Sequence, residues 1–446
     1  MIFRDLLKVM LPLLMLLAVL GSCGDDDTGI PQGSISIGGV RIAIDSISEK
    51  ENIDIRLENM QTGSVFTGKS NSQGIADFTV TPGIYKATAS GSKSQEGIAY
   101  LYNGASGQIV VRAGQTASVV IAMRGVRRSQ VVIKEIYNGG VMKNDGSGNF
   151  QFDKCIILYN NSPVPASLSN LCFGMAPPFN GHANNYNYDS EGHLTYEAEG
   201  FTPALNGIWW FPSTLTIEPY SQIVVNVCGA IDNTQTVSAS VNYANSEYYC
   251  MYDPASGYSN TSYYPTPSDV IPSSHYLKAV RYGLGNAWAL SVTSPAVFVF
   301  QTHGVEPADF ATAADRQWYD GGSVSQTALC IKVPNEWIVD AVEVFGTSFR
   351  ENSQKRFSAD IDAGYALLTN QQGHTVYRNI DKLATDTLPE NQGRLVYGYS
   401  LGVGSSTDPS GIDAEASIAA GAHIVYQDTN NSTADFHERQ RCSLRD

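Results

Sequence analysis

Short runs in which apolar and polar residues alternate, separated by turn residues, recur along the chain from Ser34 onward. The run at residues 53–58, IDIRLE, shows the pattern, because apolar and charged side chains alternate throughout it. A period of two is typical of a strand that buries one of its faces. Gly74, Pro82 and Gly83 separate neighbouring runs, and their backbone preferences suit tight turns. The sequence therefore predicts an all-β fold.

The charge and composition of the chain restrict its partners. The 446 residues include 43 acidic and 28 basic side chains, which gives a formal net charge of −15. An acidic chain gains no affinity from counterion release on a phosphate backbone, so no nucleic-acid partner is predicted. Only 16% of the residues are charged, and 41 glycines and 24 tyrosines accompany them, which is typical of an extracellular β-protein. The length predicts two or three domains.

The first residues have the organisation of a bacterial signal peptide. Residues 9–20, VMLPLLMLLAVL, form an apolar run behind two basic residues. Such a run is shorter than the roughly 20 residues that span a membrane, but it fits the apolar core of a signal peptide. Residues 20–23, LGSC, resemble the lipobox of bacterial lipoproteins. The resemblance implies cleavage before Cys23 and attachment of diacylglycerol to its thiol, whereas the alternative is an ordinary signal peptide with a chance cysteine nearby.

Three acidic residues, Asp25, Asp26 and Asp27, lie directly behind Cys23. Their placement resembles the export signal that sends Bacteroidota lipoproteins to the outer face of the outer membrane. The resemblance implies a lipid-anchored protein of the outer membrane that faces the cell exterior. The alternative is a solvated acidic tether, which is what short charge runs usually form.

Residues 55–91 have the glycine, proline and tyrosine spacing of a known module. This stretch, IRLENMQTGSVFTGKSNSQGIADFTVTPGIYKATASG, resembles the transthyretin-like or carboxypeptidase-regulatory-like β-sandwich, and the match extends over about residues 35–124. The resemblance implies a spacer or docking platform that carries no chemistry. A short basic linker, RGVRRS, is predicted at residues 124–129.

The remainder of the chain resembles lamin-tail-like β-domains in its opening strands. Residues 131–140 and 153–162 carry the resemblance, although Cys155 and Ile157 depart from its aromatic and acidic positions. Later segments, among them YPTPSDVIPSSHYLKAVRYG and DTNNSTADFHER, follow an order similar to that of an uncharacterised family of Bacteroidota surface lipoproteins. That resemblance implies a gene neighbourhood with TonB-dependent outer-membrane receptors and brings no known activity.

The predicted organisation has four parts along the chain. They are a signal peptide at residues 1–22, an acidic tether at 23–34, the transthyretin-like sandwich at 35–124, and a large lamin-tail-like, immunoglobulin-like β-domain with long loops at 130–446. Within the last part, residues 308–316 are predicted to form one or two helical turns, and residues 418–426 are predicted to form the last strand.

The cysteines leave two possibilities open. With Cys23 acylated, six remain, and six cysteines pair in fifteen ways among which spacing does not choose. Several of them stand in apolar, strand-like runs, where a buried free thiol behaves as a small hydrophobic side chain. The six residues are Cys155, Cys172, Cys228, Cys250, Cys330 and Cys442.

No motif of a catalytic or metal site is present. The sequence lacks a GxSxG elbow, a phosphate-binding glycine loop and a cysteine in a protease-like setting. His182 and His193 stand among Asn, Asp and Glu, but zinc needs three or four ligands, so hydrated loop histidines are favoured. The acidic string at residues 408–415 departs from a calcium-binding loop, and a turn that caps a helix is favoured. No cofactor, metal or enzymatic activity is predicted.

Aromatic residues in loops are the strongest indication of a binding site. Rings with nearby Asn and Ser suit stacking on sugars or other flat organic ligands. The alternative is that long loops use Tyr and Trp to bury their own backbone, although long loops in compact domains are often functional. The predicted ligand-binding residues are Trp209, Trp210, Tyr186, Tyr188, Tyr263 and Tyr264.

These observations favour a non-enzymatic protein of the cell surface. The leading hypothesis is a lipoprotein that captures a small organic ligand or glycan for a TonB-dependent transporter. An adhesin or protein-binding module is the alternative, because it requires only exposed loops on a rigid sandwich. A hydrolase is the least favoured class.

Overall fold

A computed structural model of the protein describes residues 36–95 and 98–445. The predictions for Cys23, Asp25, Asp26 and Asp27 therefore lie outside the described residues. Strands form most of the regular structure and the helices are short, so the predicted all-β class is confirmed. In the described part of the chain, no helix is long and apolar enough to cross a membrane.

The chain divides into two compact units. One unit runs to Ser90 and takes in Asn103–Arg124, and the other consists of Gly91–Tyr102 and Gly125–Asp446. The first unit contains strands from two sheets, and the predicted alternation places every second residue of the first strand, Val40, Ile42 and Ile44, in the interior. The strands that lie in this unit wholly or in part are β1 (Gly38–Asp45), β2 (Asp54–Asn59), β3 (Val65–Lys69), β4 (Ile75–Val80), β5 (Gly83–Gln95), β6 (Ile98–Val111) and β7 (Thr116–Ala122).

The pairing within the first unit uses both strand directions. β1 lies between β4, which is antiparallel to it, and β7, which is parallel to it. β3, β2, β5 and β6 follow one another in the other sheet. β5 and β6 are much longer than the runs that the sequence predicts. The added part of β5 is rich in Ser and carries no alternating apolar signal, whereas the added part of β6 begins with the apolar residues IAYLY and continues into NGASG.

From residue 124 onward the chain adds many short strands and four short helices. The basic stretch predicted as a linker is itself a strand, β8, because backbone hydrogen bonding does not depend on an apolar pattern. The strands are β8 (Arg124–Ser129), β9 (Val131–Tyr137), β10 (Val141–Met142), β11 (Asn149–Phe150), β12 (Cys155–Asn160), β13 (Ala166–Leu168), β14 (Leu171–Met175), β15 (Phe201–Leu205), β16 (Ile208–Trp210), β17 (Leu215–Ile217), β18 (Gln222–Asn226), β19 (Tyr249–Cys250), β20 (Lys278–Val280), β21 (Ala296–Gln301), β22 (Gln317–Tyr319), β23 (Leu329–Pro334), β24 (Ile338–Gly346), β25 (Ala366–Leu368), β26 (Thr375–Arg378) and β27 (Phe436–Arg439). The helices are α1 (Pro307–Thr312), α2 (Lys382–Asp386), α3 (Ala414–Ala419) and α4 (Ser432–Asp435).

Two six-stranded sheets form the body of the second unit. The first sheet has the order β19-β18-β12-β9-β26-β27, and the second has the order β20-β16-β14-β21-β24-β25. Apolar residues of both sheets share one buried cluster, to which Ile133 and Leu158 contribute from the first sheet and Phe173, Val299 and Val342 from the second. The unit is therefore a β-sandwich whose main core lies between the sheets.

The second sheet is buried on both faces. Val297 and Val299 of β21 belong to the main core, whereas the alternate residues Phe298 and Phe300 belong to a separate cluster that also contains Phe310 of α1. Successive side chains of a strand point to opposite faces, so β21 contributes side chains to both clusters. Residues of the small sheet β15-β23-β22 complete the outer cluster.

Two local predictions for the second unit have different outcomes. The helical turns predicted at residues 308–316 are present as α1 and a 3-10 turn, Ala314–Arg316. The strand predicted at residues 418–426 is wrong, because Ile418 lies in α3 and the last strand is β27. The Asp413 carboxylate caps α3 by accepting a hydrogen bond from the Ala416 amide, as expected for a helix N-cap and for the capping turn favoured at residues 408–415.

All six cysteines from Cys155 to Cys442 are buried free thiols in the structure. Of the two possibilities that the sequence left open, the structure shows the reduced one. Burial raises the pKa of the Cys228 and Cys250 thiols to about 12, and it also raises the pKa of Cys172 well above its ordinary value. These thiols therefore stay protonated and act as apolar core atoms.

A buried ion pair attaches a long connection to β24. The Arg356 guanidinium donates from Nε to Glu343 Oε1 at 2.7 Å, and both side chains are fully buried. The Arg356 amide donates to Glu343 Oε2 at 2.8 Å, and Nη1 donates to the Pro178 carbonyl at 3.0 Å. One carboxylate thus holds the segment after β24 against the second sheet.

Replacing Glu343 by Gln leaves the Arg356 guanidinium buried without its full counter-charge. We expect the Glu343→Gln variant to lose about 3–5 kcal/mol of unfolding free energy, the range for breaking a buried ion pair. Urea unfolding followed by tryptophan fluorescence measures the loss. The matched control is Glu199→Gln, since Glu199 also lies 2.7 Å from a cation, Lys332, but is 58% exposed, and we expect it to cost about 0–1 kcal/mol. Equal losses in the two variants would contradict the role of the buried pair.

Candidate functional site

The structure separates Trp209 from Trp210. Both lie on β16, where successive side chains point to opposite faces of the second sheet. Trp209 is fully buried in the main core, whereas Trp210 is partly buried against the outer cluster that contains Phe298. The two neighbouring indoles therefore lie on opposite faces of the sheet and do not form one site.

The Asn-rich loop places Tyr186 and Tyr188 in another region. Tyr186 is 74% exposed, and its hydroxyl accepts a hydrogen bond from Asn184 Nδ2 at 3.2 Å. The Tyr188 hydroxyl donates to the Lys355 carbonyl at 2.9 Å, so this ring secures the loop backbone. Neither residue lines the pocket at Trp209.

The two loop histidines, His182 and His193, contact different residues. The His182 ring stacks on Phe349 with ring centroids 4.2 Å apart, and the exposed His193 lies 3.8 Å from Asp189. Within residues 36–95 and 98–445, no group of three or more His, Cys, Asp or Glu side chains is placed to hold a metal ion.

Trp209 and Tyr264, in contrast, meet in one aromatic cluster. The Trp209 ring stacks on Tyr258 with centroids 5.5 Å apart and an angle of 13° between the planes, and Tyr264 lies 5.7 Å from Trp209. The Tyr258 hydroxyl donates to the Asn206 carbonyl at 2.7 Å, and the Tyr264 hydroxyl accepts from the Trp288 amide at 2.9 Å. These hydrogen bonds fix the rings in place.

A cavity of about 230 Å³ opens beside this cluster. The buried rings form its interior, and exposed or half-buried polar side chains form its mouth. We call it the aromatic pocket, and it is lined by Trp209, Tyr252, Asp253, Pro254, Tyr258, Ser259, Asn260, Thr261 and Tyr264.

The Trp209 indole has an unusual feature. Its Nε1 is buried and has no hydrogen-bond partner among the described residues, whereas Trp288 Nε1 donates to the Gly207 carbonyl at 3.1 Å. An unsatisfied buried donor costs about 1–3 kcal/mol, and such groups in native proteins call for an explanation. An acceptor in the aromatic pocket would satisfy it.

Tyr263 lies outside the aromatic pocket, although it is next to Tyr264 in sequence. Its hydroxyl is 3.5 Å from Lys154 Nζ, and its ring meets Phe152 edge to face at 5.5 Å. Of the six aromatic residues predicted to bind ligand, Trp209 and Tyr264 line the aromatic pocket and the other four do not.

A second concave region lies on the first sheet, on the face opposite the main core. This cleft encloses about 500 Å³. We call it the lysine cleft, and it is lined by Lys134, Tyr159, Tyr220, Ser221, Gln222, Glu415, Ile418, Ala419 and Ser443. Sequence analysis did not identify it.

A β-bulge places Lys134 in this cleft. In the pairing of β9 with β12, Ile157 lies opposite Glu135 and Leu158 lies opposite Ile133, so Lys134 is an extra residue without a partner. The extra residue sends Lys134 and Glu135 to the same face of the sheet, away from the main core. Bulges of this kind often redirect a side chain next to a functional site. Two consecutive charged residues within the apolar run VVIKEIY were the sequence signal that could have revealed it.

Lys134 is part of a buried polar cluster. Its Nζ donates to Gln222 Oε1 at 2.8 Å and lies 3.3 Å from Glu415 Oε1, which also accepts a hydrogen bond from the Tyr377 hydroxyl at 2.6 Å. Arg439 Nη1 lies 3.3 Å from Glu415 Oε2. Burial alone would raise the pKa of Glu415, but the charges of Lys134 and Arg439 and the hydrogen bonds outweigh it and lower the pKa to about 2.

One wall of the cleft is a tyrosine held in a strained backbone conformation. Tyr220 has φ +50° in the turn between β17 and β18, where the Ser221 amide donates to the Glu218 carbonyl. A residue of positive φ after a proline is typical of a type II turn, which favours glycine at that position. The Tyr220 ring stacks on His423 with centroids 4.7 Å apart. Backbone strain of this kind concentrates at functional sites, which suggests that the Tyr220 side chain has a function in the cleft.

The comparisons with known proteins support the fold and add no activity. Residues 218–398 match the family described as "Protein of unknown function (DUF4876)". A crystal structure of a DUF4876 family protein from Bacteroides thetaiotaomicron VPI-5482 is similar, with a TM-score of 0.58 and 19% identity over 90% of this chain and 94% of that chain. That likeness extends to the fold alone. No curated protein matches the chain.

His437, a buried histidine close to Arg439 and Glu415, makes the unfolding free energy depend on pH in the acid range. His437 Nε2 lies 2.6 Å from the Tyr399 hydroxyl, and burial together with the charge of Arg439 lowers the pKa of His437 to about 3. The folded-state pKa is thus below the unfolded value of about 6.5, so the unfolded chain binds the proton first. The contribution of His437 to stability is complete above pH 6.5 and is lost as the pH falls towards 3.

We therefore expect wild-type protein to lose about 2 kcal/mol more unfolding free energy between pH 7 and pH 4.5 than a His437→Gln variant, whose side chain does not titrate. Urea unfolding at the two pH values measures the difference. His193→Gln, at an exposed position, should follow the wild type. A His437→Gln variant with the same pH dependence as wild type would show that His437 does not stay neutral in the fold.

Proposed function

We propose that the protein is a surface lipoprotein that captures a small, ring-shaped organic ligand, such as a sugar unit of a glycan, in the aromatic pocket. The observation that carries the proposal is that Trp209, which lines a cavity walled by aromatic rings, has a buried Nε1 with no hydrogen-bond partner among the described residues. A ligand oxygen accepting from this N–H supplies the missing hydrogen bond, and the ring of the ligand packs against the aromatic side chains.

The lining of the pocket suits a ligand that is apolar on its faces and polar on its edges. Tyr252 and Tyr264 present rings, while Ser259, Asn260 and Thr261 bring hydroxyl and amide groups to the mouth. A volume of about 230 Å³ is below the roughly 300–1,000 Å³ of pockets for drug-sized ligands. The pocket therefore holds one ring, and the rest of a longer ligand extends outside.

The polar groups of the pocket support binding rather than catalysis. Asp253 is the one carboxylate among the described residues of the lining, and it accepts hydrogen bonds from the amides of Ala255 and Ala279. Glycoside hydrolysis requires two carboxyl groups on either side of the scissile bond. The proposed role is therefore capture without chemical change.

The lipid anchor and the transporter complete the proposal. Acylated Cys23 followed by Asp25, Asp26 and Asp27 holds the protein on the outer membrane, facing the exterior. The captured ligand then passes to a TonB-dependent receptor, as the resemblance to surface lipoproteins suggests.

The pocket is tested by ligand titration of the full chain. We expect at least one probe among neutral mono- and oligosaccharides, haem and iron chelates to raise the melting temperature of the wild type. Trp209→Phe keeps one six-membered aromatic ring and removes the five-membered ring with its N–H, so we expect at least about five- to tenfold weaker binding, the equivalent of one hydrogen bond. Calorimetric titration measures the affinity.

Two further variants make the result specific. Tyr252→Ala removes a ring from the pocket and should also weaken binding, whereas Tyr186→Ala removes an exposed ring elsewhere and should not. If no probe binds, or if affinity falls only in Tyr186→Ala, the capture role of the aromatic pocket is wrong. Binding of a protein partner that survives Trp209→Phe and Tyr252→Ala would favour an adhesin instead.

The anchor is tested separately in cells. We expect wild-type protein to incorporate a palmitate analogue and to enter the detergent phase, and Cys23→Ser to do neither, because the thiol is the acylation site. Replacing Asp25, Asp26 and Asp27 by Asn should keep acylation but reduce protease accessibility on intact cells. A Cys23→Ser variant that remains in the detergent phase would contradict the lipid anchor.

A further inference from the structure

We infer that the lysine cleft is a second ligand site, which binds a small organic carboxylate that has an aliphatic or aromatic body. The carboxylate lies at Lys134, and the apolar body lies against the walls of the cleft. This site shares no lining residue with the aromatic pocket, so it stands independently of the function proposed above.

The size and walls of the cleft suit a small amphipathic molecule. A volume of about 500 Å³ lies within the roughly 300–1,000 Å³ typical of ligand pockets. Its walls include the rings of Tyr159 and Tyr220 and the side chains of Ile418 and Ala419, and Ile418 is 40% exposed although it is aliphatic. An apolar ligand body would cover this surface and remove it from water.

The buried ammonium at the floor has hydrogen-bonding capacity left. A lysine ammonium has three donors, and Lys134 Nζ donates to two described oxygens, Gln222 Oε1 and Glu415 Oε1. The centroids of the Tyr377 and Tyr426 rings lie 5.2 and 5.7 Å from Nζ, and a carboxylate is a stronger acceptor than either ring. The Lys134 side chain is only 2% exposed, and a charge-assisted hydrogen bond is stronger in such surroundings than in water. A carboxylate oxygen in the cleft would take the third donor.

Gln222 offers the second oxygen of the carboxylate a partner. Its Oε1 accepts from Lys134, so its Nε2, which has no partner among the described residues, remains free to donate. Ammonium and amide donors side by side match the two oxygens of a carboxylate.

The carboxylates beside the cleft are already engaged by other groups. Both oxygens of Glu415 lie 3.3 Å from a cation, Oε1 from Lys134 Nζ and Oε2 from Arg439 Nη1. Glu135 accepts hydrogen bonds from the amide and the hydroxyl of Ser443. These contacts reduce the repulsion that a ligand carboxylate would meet at Lys134.

The cleft is preorganised for its ligand. Tyr220 is held by its left-handed backbone and by stacking on His423, and the Tyr159 hydroxyl donates to the Ile424 carbonyl at 2.8 Å. Fixed walls reduce the ordering cost of binding.

The test compares matched ligands on the full chain by calorimetric titration. The probes are phenylacetate and decanoate, with phenylacetamide and phenethylamine as the neutral and cationic counterparts. We expect the carboxylates to bind and the amide and amine to bind at least tenfold more weakly. No binding of either carboxylate, or equal affinity for phenylacetate and phenylacetamide, would overturn the inference.

Variants that keep the fold locate the site. Gln222→Glu changes an exposed residue and places a carboxylate beside Lys134, so we expect at least a tenfold loss of phenylacetate affinity. Tyr220→Gly removes the wall and gives the left-handed position its favoured residue, so binding should fall while the variant stays folded, which urea unfolding checks. Gln371→Gly is the matched control, since Gln371 also has positive φ and lies outside the cleft.

Unchanged phenylacetate affinity in both Gln222→Glu and Tyr220→Gly would place the binding elsewhere and overturn the inference. Loss of phenylacetate binding in Tyr252→Ala, a residue of the aromatic pocket, would do the same. Retention of sugar binding in Gln222→Glu and of phenylacetate binding in Trp209→Phe would establish two separate sites.

Discussion

Apolar packing between the two six-stranded sheets is the interaction on which the rest of the second unit depends. Val297 and Val299 bind the second sheet to the first, and the alternate residues Phe298 and Phe300 oblige the chain to cover the other face as well. A sheet that is buried on both faces needs long connections to cover it. The large loops that cover this face are therefore a structural necessity.

Buried charges hold these connections in place. Arg356 reaches Glu343 beneath one connection, Arg378 pairs with Asp340 beneath another, and Lys134 and Arg439 share Glu415 on the first sheet. Each pair costs desolvation and gains strength only with good geometry, so such pairs contribute more to a defined arrangement than to net stability. Only 16% of the residues of the chain are charged, and several of these are buried inside the fold.

The alternation of apolar and polar residues predicts strands well where one face of the strand is buried. It predicts them poorly where the alternation stops. Alternation predicts β1, β2 and β4, but it does not predict the distal end of β5, because Ser and Gly carry no apolar period. The strand predicted at residues 418–426 is wrong, and its first two residues belong to the helix that Asp413 caps, which ends at Ala419. Trp209 and Trp210 were expected at one site, and the period of the strand separates them.

The sequence by itself determined the all-β class, the order of its strands and the residues available for binding, because these depend on neighbours along the chain. Only the tertiary structure decided which of those residues meet. Lys134 and Glu415 are separated by 281 positions, and Trp209 reaches Tyr258 and Tyr264 through a loop that folds back over the core. Such meetings depend on sheet register, on a bulge and on loop closure, none of which a local pattern encodes.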